Sequence, residues 1–428
     1  MGGAESLAPI SFGDAGGSKF LRRVTMPEQQ KFEAGTWTRE GLVVSDGGYS
    51  YLTLVNGRGQ NNQYKEKLIV EDFDPKVIKE KLRPEVFGFM ARGLDLMVGS
   101  DPEIFIKNKD TGVIVPAFAV MPKGQKFSID GKTNWGDRPG MGFVYSDGFA
   151  AEFTVTPETC LSWVVDHCYE QMRQLRERLA KSKDFKNADL NPVDVMEIPE
   201  EVMMMATEED IQLGCMPSLN AYGDRGELVH NGRALMMRCT GMHIHIGSKE
   251  VSKENAPRIV KAMDGMVGLA ATALFGDEEN KWRRRLYGLP GEYRLPKHGL
   301  EYRVVSGAML RHPIRVHFLI DIARYAFQLG VSRLWEVFSE NKEKDIKKAI
   351  LESNQKLAWK LIKKDEELWM PFLRGRYVDG RLELDKLFGV LTGQEKIKTG
   401  KFVDNWRFGK WIYHSEGPNC SVHKAVLA

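Results

Sequence analysis

Residues 283–311, RRRLYGLPGEYRLPKHGLEYRVVSGAMLR, combine a cluster of guanidiniums with a carboxylate. Glycines and prolines at Gly288, Pro290, Gly291, Pro296 and Gly299 break the basic run. The chain then enters a strand-like segment in which Glu301 and Arg303 share one face at period two. Arginine offers planar, permanently charged donors that match phosphate or carboxylate oxygens. A carboxylate beside them suits the cation that accompanies phosphate.

Several more places carry residue types able to do chemistry. Asp101 and Glu103 alternate with apolar residues in VGSDPEIFIK. The pair reads either as two solvated carboxylates or as a minimal hard-metal pair. Pro102 between them predicts an edge, a bulge or the start of a strand. In VYSDGFAAEFTVT, Asp147 precedes a turn glycine and Glu152 sits within an apolar run, which is costly unless the carboxylate is paired or metal-bound. His243 and His245 of GMHIHIG share a strand face, as a metal pair or as plain alternation. Cys215 has no identifiable base and reads as structural, as do His167 and Cys168. The run GQKFSIDGKT has the wrong glycine spacing for a Walker-type phosphate loop and does not lead into a helix.

Several elements must position these residues. Helices are expected over 74–92, 159–181, 252–274, 312–338 and 342–369, with residues 187–205 irregular. The chain has 428 residues, 42% of them hydrophobic and 28% charged, enough for a large core. A net charge of +3 gives no bulk attraction to nucleic acid. Five scattered cysteines without a CxxC pair fit a reducing compartment, with neither a disulfide framework nor a structural zinc. No apolar run reaches membrane-spanning length, so no membrane partner is expected.

The order VGSDPEIFI, SDGFAAEF, TGMHIHIG, then RRRLYGLPGEYRLPKHGLEYRVVSGAMLRHP resembles the glutamine synthetase and glutamate–cysteine ligase superfamily. The likeness is to its carboxylate–amine ligase (amidoligase) branch, found in phages and bacteria. The segments span Val98 to Pro313, about half the chain. Asp101 departs from the branch pattern, in which glutamate is frequent there.

The resemblance implies an α+β fold: a curved antiparallel sheet backed by helices. Short β-like runs between Gly and Asn turns over 36–70 add a small β-rich N-terminal extension. The expected division is an arm and extension over 1–90, a catalytic unit over 91–375 and a mixed tail over 376–428, the resemblance bearing only on the middle unit. The implied activity is ATP-dependent formation of an amide or peptide bond from small-molecule or peptide carboxylate and amine substrates, through an acyl phosphate, with Mg2+ or Mn2+. The setting would be cytoplasmic, the host cytoplasm for a phage-encoded chain. Metal ligands would come from Asp101, Glu103, Asp147, Glu152, His243 and Glu301, with the Glu103, Glu152 and Glu301 carboxylates converging. His245, Arg284, Arg285 and Lys297 would face nucleotide. Glu301, Arg294 and Arg303 would be catalytic, the arginines stabilising phosphoryl transfer. Two other readings remain: a binding or structural protein that keeps the fold without turnover, and a metal-dependent hydrolase.

Overall fold

The computed structural model describes residues 96–121, 142–158, 161–211, 218–224, 236–276, 281–331, 333–339, 341–366, 368–369 and 406. Two short paired strands near the N-terminus, β1 (Thr36–Trp37) and β2 (Leu42–Val43), complete the described residues. The rest of the expected extension, the helix over 74–92, the glycine run at 124–131 and Cys215 lie outside them.

Long alternating stretches form the centre of an eight-stranded antiparallel sheet. Its strands are β3 (Met97–Asn108), β4 (Gly142–Asp147), β5 (Ala150–Glu158), β6 (Ala188–Asn191), β8 (Leu219–Asn220), β10 (Met242–Gly247), β11 (Glu292–Arg294) and β12 (Gly299–Tyr302). They run in the order β4-β5-β3-β10-β12-β11-β8, with β6 paired to β3 as well. A separate ribbon joins β7 (Val195–Glu197) to β9 (Met237–Cys239). Residues 187–205 are therefore not irregular: they supply β6, β7 and a short helix, Glu200–Met204. Their apolar side chains close a second, smaller core in which Phe105, Phe149, Ile198 and Val202 meet.

The alternation decides what each face of the sheet does. Val98, Ile104, Val144, Ala151, Phe153, Ile244, Ile246, Leu300 and Tyr302 are buried in the main core. Helices cover that face: α1 (Leu161–Lys181) packs on β3, β4 and β5. Next come α2 (Ala256–Met263) and α3 (Leu269–Phe275), while α4 (Lys281–Leu286) is joined to the strands through its arginines. The buried helix α5 (Pro313–Val331) crosses α1, α2 and β10. The positions between the apolar ones carry Asp101, Glu103, Glu152, His243, His245 and Glu301 to the opposite face.

Three expected helices differ in the structure. The segment over 252–274 is helical from Ala256 but carries a π turn at Asp264–Gly268 between α2 and α3. The segment over 312–338 divides into α5 and Leu334–Ser339, with Arg333 at positive φ between them. The segment over 342–369 also divides, into α6 (Glu343–Leu351) and α7 (Gln355–Lys364). There Ser353 turns left-handed and the Asn354 side chain accepts from Leu357 N–H, restarting a helix the charge pattern reads as continuous. Pro102 lies in an interior strand opposite Met242, not at a sheet edge, and the register irregularity falls at Val98–Ser100. The pairing holds because Glu103 N–H bonds the Gly241 carbonyl while Met242 N–H bonds Val305. At the far end of the chain, buried Trp406 donates its indole N–H to the Leu310 carbonyl. No described helix is long and apolar enough to cross a membrane.

Candidate active site

Register converts the strand faces into two adjacent clusters. Glu103 of β3 lies directly opposite Glu152 of β5, and Glu152 opposite Tyr145 of β4. Two residues along β4, Asp147 completes a group: one carboxylate oxygen from each of Glu103, Asp147 and Glu152 lies within 4.8 Å of the other two. Gly241 N–H donates to Glu103 Oε2 at 2.7 Å, and Tyr145 hydrogen-bonds Glu152.

Burial, then the nearby Asp147 charge, pushes the Glu103 carboxyl up to about 8. Burial and the Glu103 charge raise Glu152 well above the usual carboxylate range. A cation would offset both effects. The donor set is all oxygen, which suits hard Mg2+ or Mn2+ and gives soft metals nothing to prefer.

Glu301 does not join this group. It belongs to a second cluster with His243, Arg294, Arg303 and Tyr287. Arg303 Nη1 donates to Glu301 Oε1 at 2.8 Å. Arg294 Nη1 stands 3.7 Å from the same oxygen and His243 Nδ1 3.5 Å from it. On its other side His243 Nε2 meets the Tyr287 hydroxyl, which also lies 3.0 Å from Arg303 Nη2.

Hydrogen-bond roles follow from the donor inventory. Arginine only donates, so the Tyr287 oxygen accepts from Arg303 Nη2 and shares a second hydrogen bond with His243 Nε2. The other ring nitrogen of His243, Nδ1, faces Glu301. Burial, with the Arg303 charge next, holds His243 well below the usual imidazole range, so it is neutral. The contacts close a ring: Arg303, Tyr287, His243, Glu301 and back to Arg303. Gly241 leaves room for it, since a Cβ there would approach His243 Nε2 and the Tyr287 ring to 2.9 Å each.

The other expected site residues fall in three places. Asp101 Oδ2 lies 2.8 Å from His245 Nε2 without hydrogen-bond alignment, and His245 Nδ1 is 3.0 Å from His298 Nε2. This acid–imidazole line runs from the sheet toward solvent, where His298 and Lys297 are exposed at the turn before β12. Arg284 is almost wholly buried on α4 and bonds the Gly288 and Val304 carbonyls. Its charge acts on Asp264, beneath the sheet. The Arg285 side chain lies outside the described ones.

Tyr145, Tyr287, His298 and Arg283 gain positions that sequence reasoning did not assign. Arg283 is fully buried and clamps three carbonyls, Thr240 at 2.7 Å, Val304 at 2.9 Å and Val305 at 2.8 Å. It ties α4 to the strands on either side. Gly288, at φ +69°, makes way for it, because a Cβ there would reach 2.3 Å from Arg283 Nη1. That glycine was visible as a loop breaker; the arginine it accommodates was not.

Residues 227–366, about a third of the chain, match the model of the family described as phage phiEco32-like COOH.NH2 ligase-type 2. This is the family to which the sequence resemblance points, and its name denotes a carboxylate–amine ligase. The matched stretch contains β10, the arginine-bearing loop and β12, but not Glu103, Asp147 or Glu152. A search of curated proteins found no match.

Proposed function

We propose that the chain is an ATP-dependent carboxylate–amine ligase acting through an acyl phosphate, on a glutamine synthetase-like sheet within a catalytic unit over 91–375. One observation carries the reading: on a single face of the sheet an all-oxygen carboxylate group stands beside a buried arginine–histidine–glutamate cluster. A cation held by Glu103, Asp147 and Glu152 would neutralise polyphosphate charge and polarise the transferred phosphoryl group. Arg303 and Arg294 would bind phosphoryl or carboxylate oxygens and stabilise the charge that develops on them. Glu301 orients Arg303, and neutral His243 keeps Glu301 in place without adding positive charge.

The chemistry balances without a covalent enzyme residue. A substrate carboxylate oxygen attacks the γ-phosphorus, and the bond to the ADP oxygen breaks. The amine nitrogen then attacks the activated carbonyl carbon, inorganic phosphate leaves, and the ammonium protons pass to solvent as the amide forms. The substrates in this reading are small-molecule or peptide acids and amines, in the cytoplasm, where ATP and magnesium are abundant.

Hydroxylamine is a small, strong nucleophile and should replace an unknown amine. Incubation with ATP, magnesium and mixed amino acids or peptides is expected to give ADP, phosphate and hydroxamate in equal amounts. AMP and pyrophosphate would indicate adenylation instead. Product release without ATP would indicate a hydrolase, and no ATP turnover across a broad acid panel would overturn the ligase reading.

A further inference from the structure

Tyr287 lies between the two clusters' interests. Arg303 is only 4% exposed, and three carboxylates besides Tyr287 act on its charge: Glu301, Glu103 and Glu292. Glu292 is already engaged by Gly288 N–H at 2.7 Å and Leu289 N–H at 3.1 Å. Glu301 holds Nη1. Glu103, a member of the carboxylate group, is the competing destination for the guanidinium: its Oε2 accepts from the N–H of Gly241, the same residue whose Cβ position lies 2.9 Å from both His243 Nε2 and the Tyr287 ring. An arginine and a carboxylate form bidentate pairs readily when nothing else fixes the arginine. Here Glu301 fixes one end and Tyr287 the other, its hydroxyl accepting from Nη2 at 3.0 Å and its ring facing the guanidinium at 5.1 Å. The hydroxyl is itself oriented by His243. Held this way, Arg303 keeps one buried donor, Nε–H, without a hydrogen-bond partner among the described residues.

We propose that Tyr287 is a positioning residue that holds Arg303 away from Glu103, Asp147 and Glu152. The carboxylates then stay open to a divalent cation, and Arg303 Nε–H stays available to an anionic substrate group, a carboxylate or phosphoryl oxygen. The inference rests on the metal-binding part of the function proposed above. It separates two opposite charges that would otherwise neutralise each other: the cation site and the anion-binding arginine. Loss of the hydroxyl leaves Nη2 buried without its acceptor and drives the guanidinium toward Glu103.

The test uses the full-length protein with Mn2+ alone, without nucleotide or substrate. Mn2+ affinity is measured by calorimetry or electron paramagnetic resonance for wild type, Tyr287→Phe, Arg303→Gln and the double variant. Tyr287→Phe is expected to weaken binding about three- to tenfold, as Arg303 occupies the carboxylates in roughly two-thirds to nine-tenths of molecules. Removing Arg303 in the same background should restore the affinity of Arg303→Gln alone. A merely structural role for Tyr287 would lower the melting temperature without that rescue. Wild-type affinity in a folded Tyr287→Phe variant, or a double variant as weak as Tyr287→Phe, would overturn the proposal.

Should Tyr287→Phe fail to fold, nitrogen NMR of arginine-labelled protein decides the point. The Arg303 guanidinium signals, assigned by their loss in Arg303→Gln, should be the same in wild type and Glu103→Gln; a guanidinium whose signals change on that replacement would already sit on Glu103 and would overturn the proposal. Wild-type protein that binds no Mn2+ would overturn this proposal together with the metal reading. Absence of hydroxamate from protein that does bind Mn2+ would count against the ligase reading alone.

Discussion

Glu103→Gln should stabilise the metal-free protein while weakening its hold on metal. Glu103 is 7% exposed, faces Glu152 across the strands and has Asp147 nearby. Its carboxyl is pushed from the model-peptide value of 4.5 up to about 8. The unfolded chain therefore releases this proton near pH 4.5, while the folded protein keeps it until about pH 8. Across that window the unfolded state binds fewer protons, so stability falls as pH rises. Each pH step costs about 1.4 kcal/mol, which amounts to about 3 kcal/mol between pH 4.5 and pH 7. Glutamine does not titrate, and its carbonyl oxygen can still accept the Gly241 N–H that Glu103 holds. In chelator-treated protein, urea unfolding should show variant and wild type close together near pH 4.5. The variant should lead by a few kcal/mol at pH 7 to 8. Mn2+ should then stabilise wild type and do much less for the variant. A variant that is no more stable than wild type at pH 8 without metal, or that gains as much from Mn2+, would refute the assignment of Glu103 to a crowded cation site.

Arg303→Lys keeps the charge but cannot reach both Glu301 and Tyr287, so hydroxamate formation should fall about a hundredfold; a near-normal rate would leave Arg303 only a packing role. Tyr302→Phe removes the donor that reaches buried Asp264 at 2.7 Å and should cost about 1–3 kcal/mol. Burial holds the Asp264 carboxyl up at about 7, and the lost bond favoured the ionised form. The deficit should therefore grow as pH rises through 7, and a pH-independent deficit in denaturant titrations would contradict this. Gly265→Ala would put a Cβ 1.8 Å from the Trp335 ring, and overpacking of this kind should cost about 1–3 kcal/mol, read as a lower melting temperature. An unchanged transition would show that the π turn yields easily.

Much of the site was legible because strand alternation is a local property. Asp101 and Glu103, His243 and His245, and Glu301 and Arg303 were each assigned to one face from period two alone, and the sheet carries all three pairs toward its charged side. The amphipathic pattern likewise placed α1 within two residues of its ends. Composition showed a chain able to build the core, and the arginine-rich loop marked the stretch that the family match contains.

Which residues meet across strands was not legible. The bond pattern of an antiparallel pair depends on register between segments far apart in sequence, and a shift of one residue exchanges every partner. Only the tertiary structure put Asp147 beside Glu103 and Glu152 and sent Glu301 to Arg303 and His243 instead. The division among the arginines was equally hidden. Arg283, Arg284 and Arg303 carry the same charge in the same stretch, yet the first two are buried on backbone carbonyls. Of the three, Arg303 is the one that hydrogen-bonds Glu301 and the Tyr287 hydroxyl. Sequence supplied the residue types and the side of the strand each occupies. The long-range pairing of β3 with β5 and β10, and of β10 with β12, decided which of them stand together, because those contacts depend on backbone separations that no local pattern encodes.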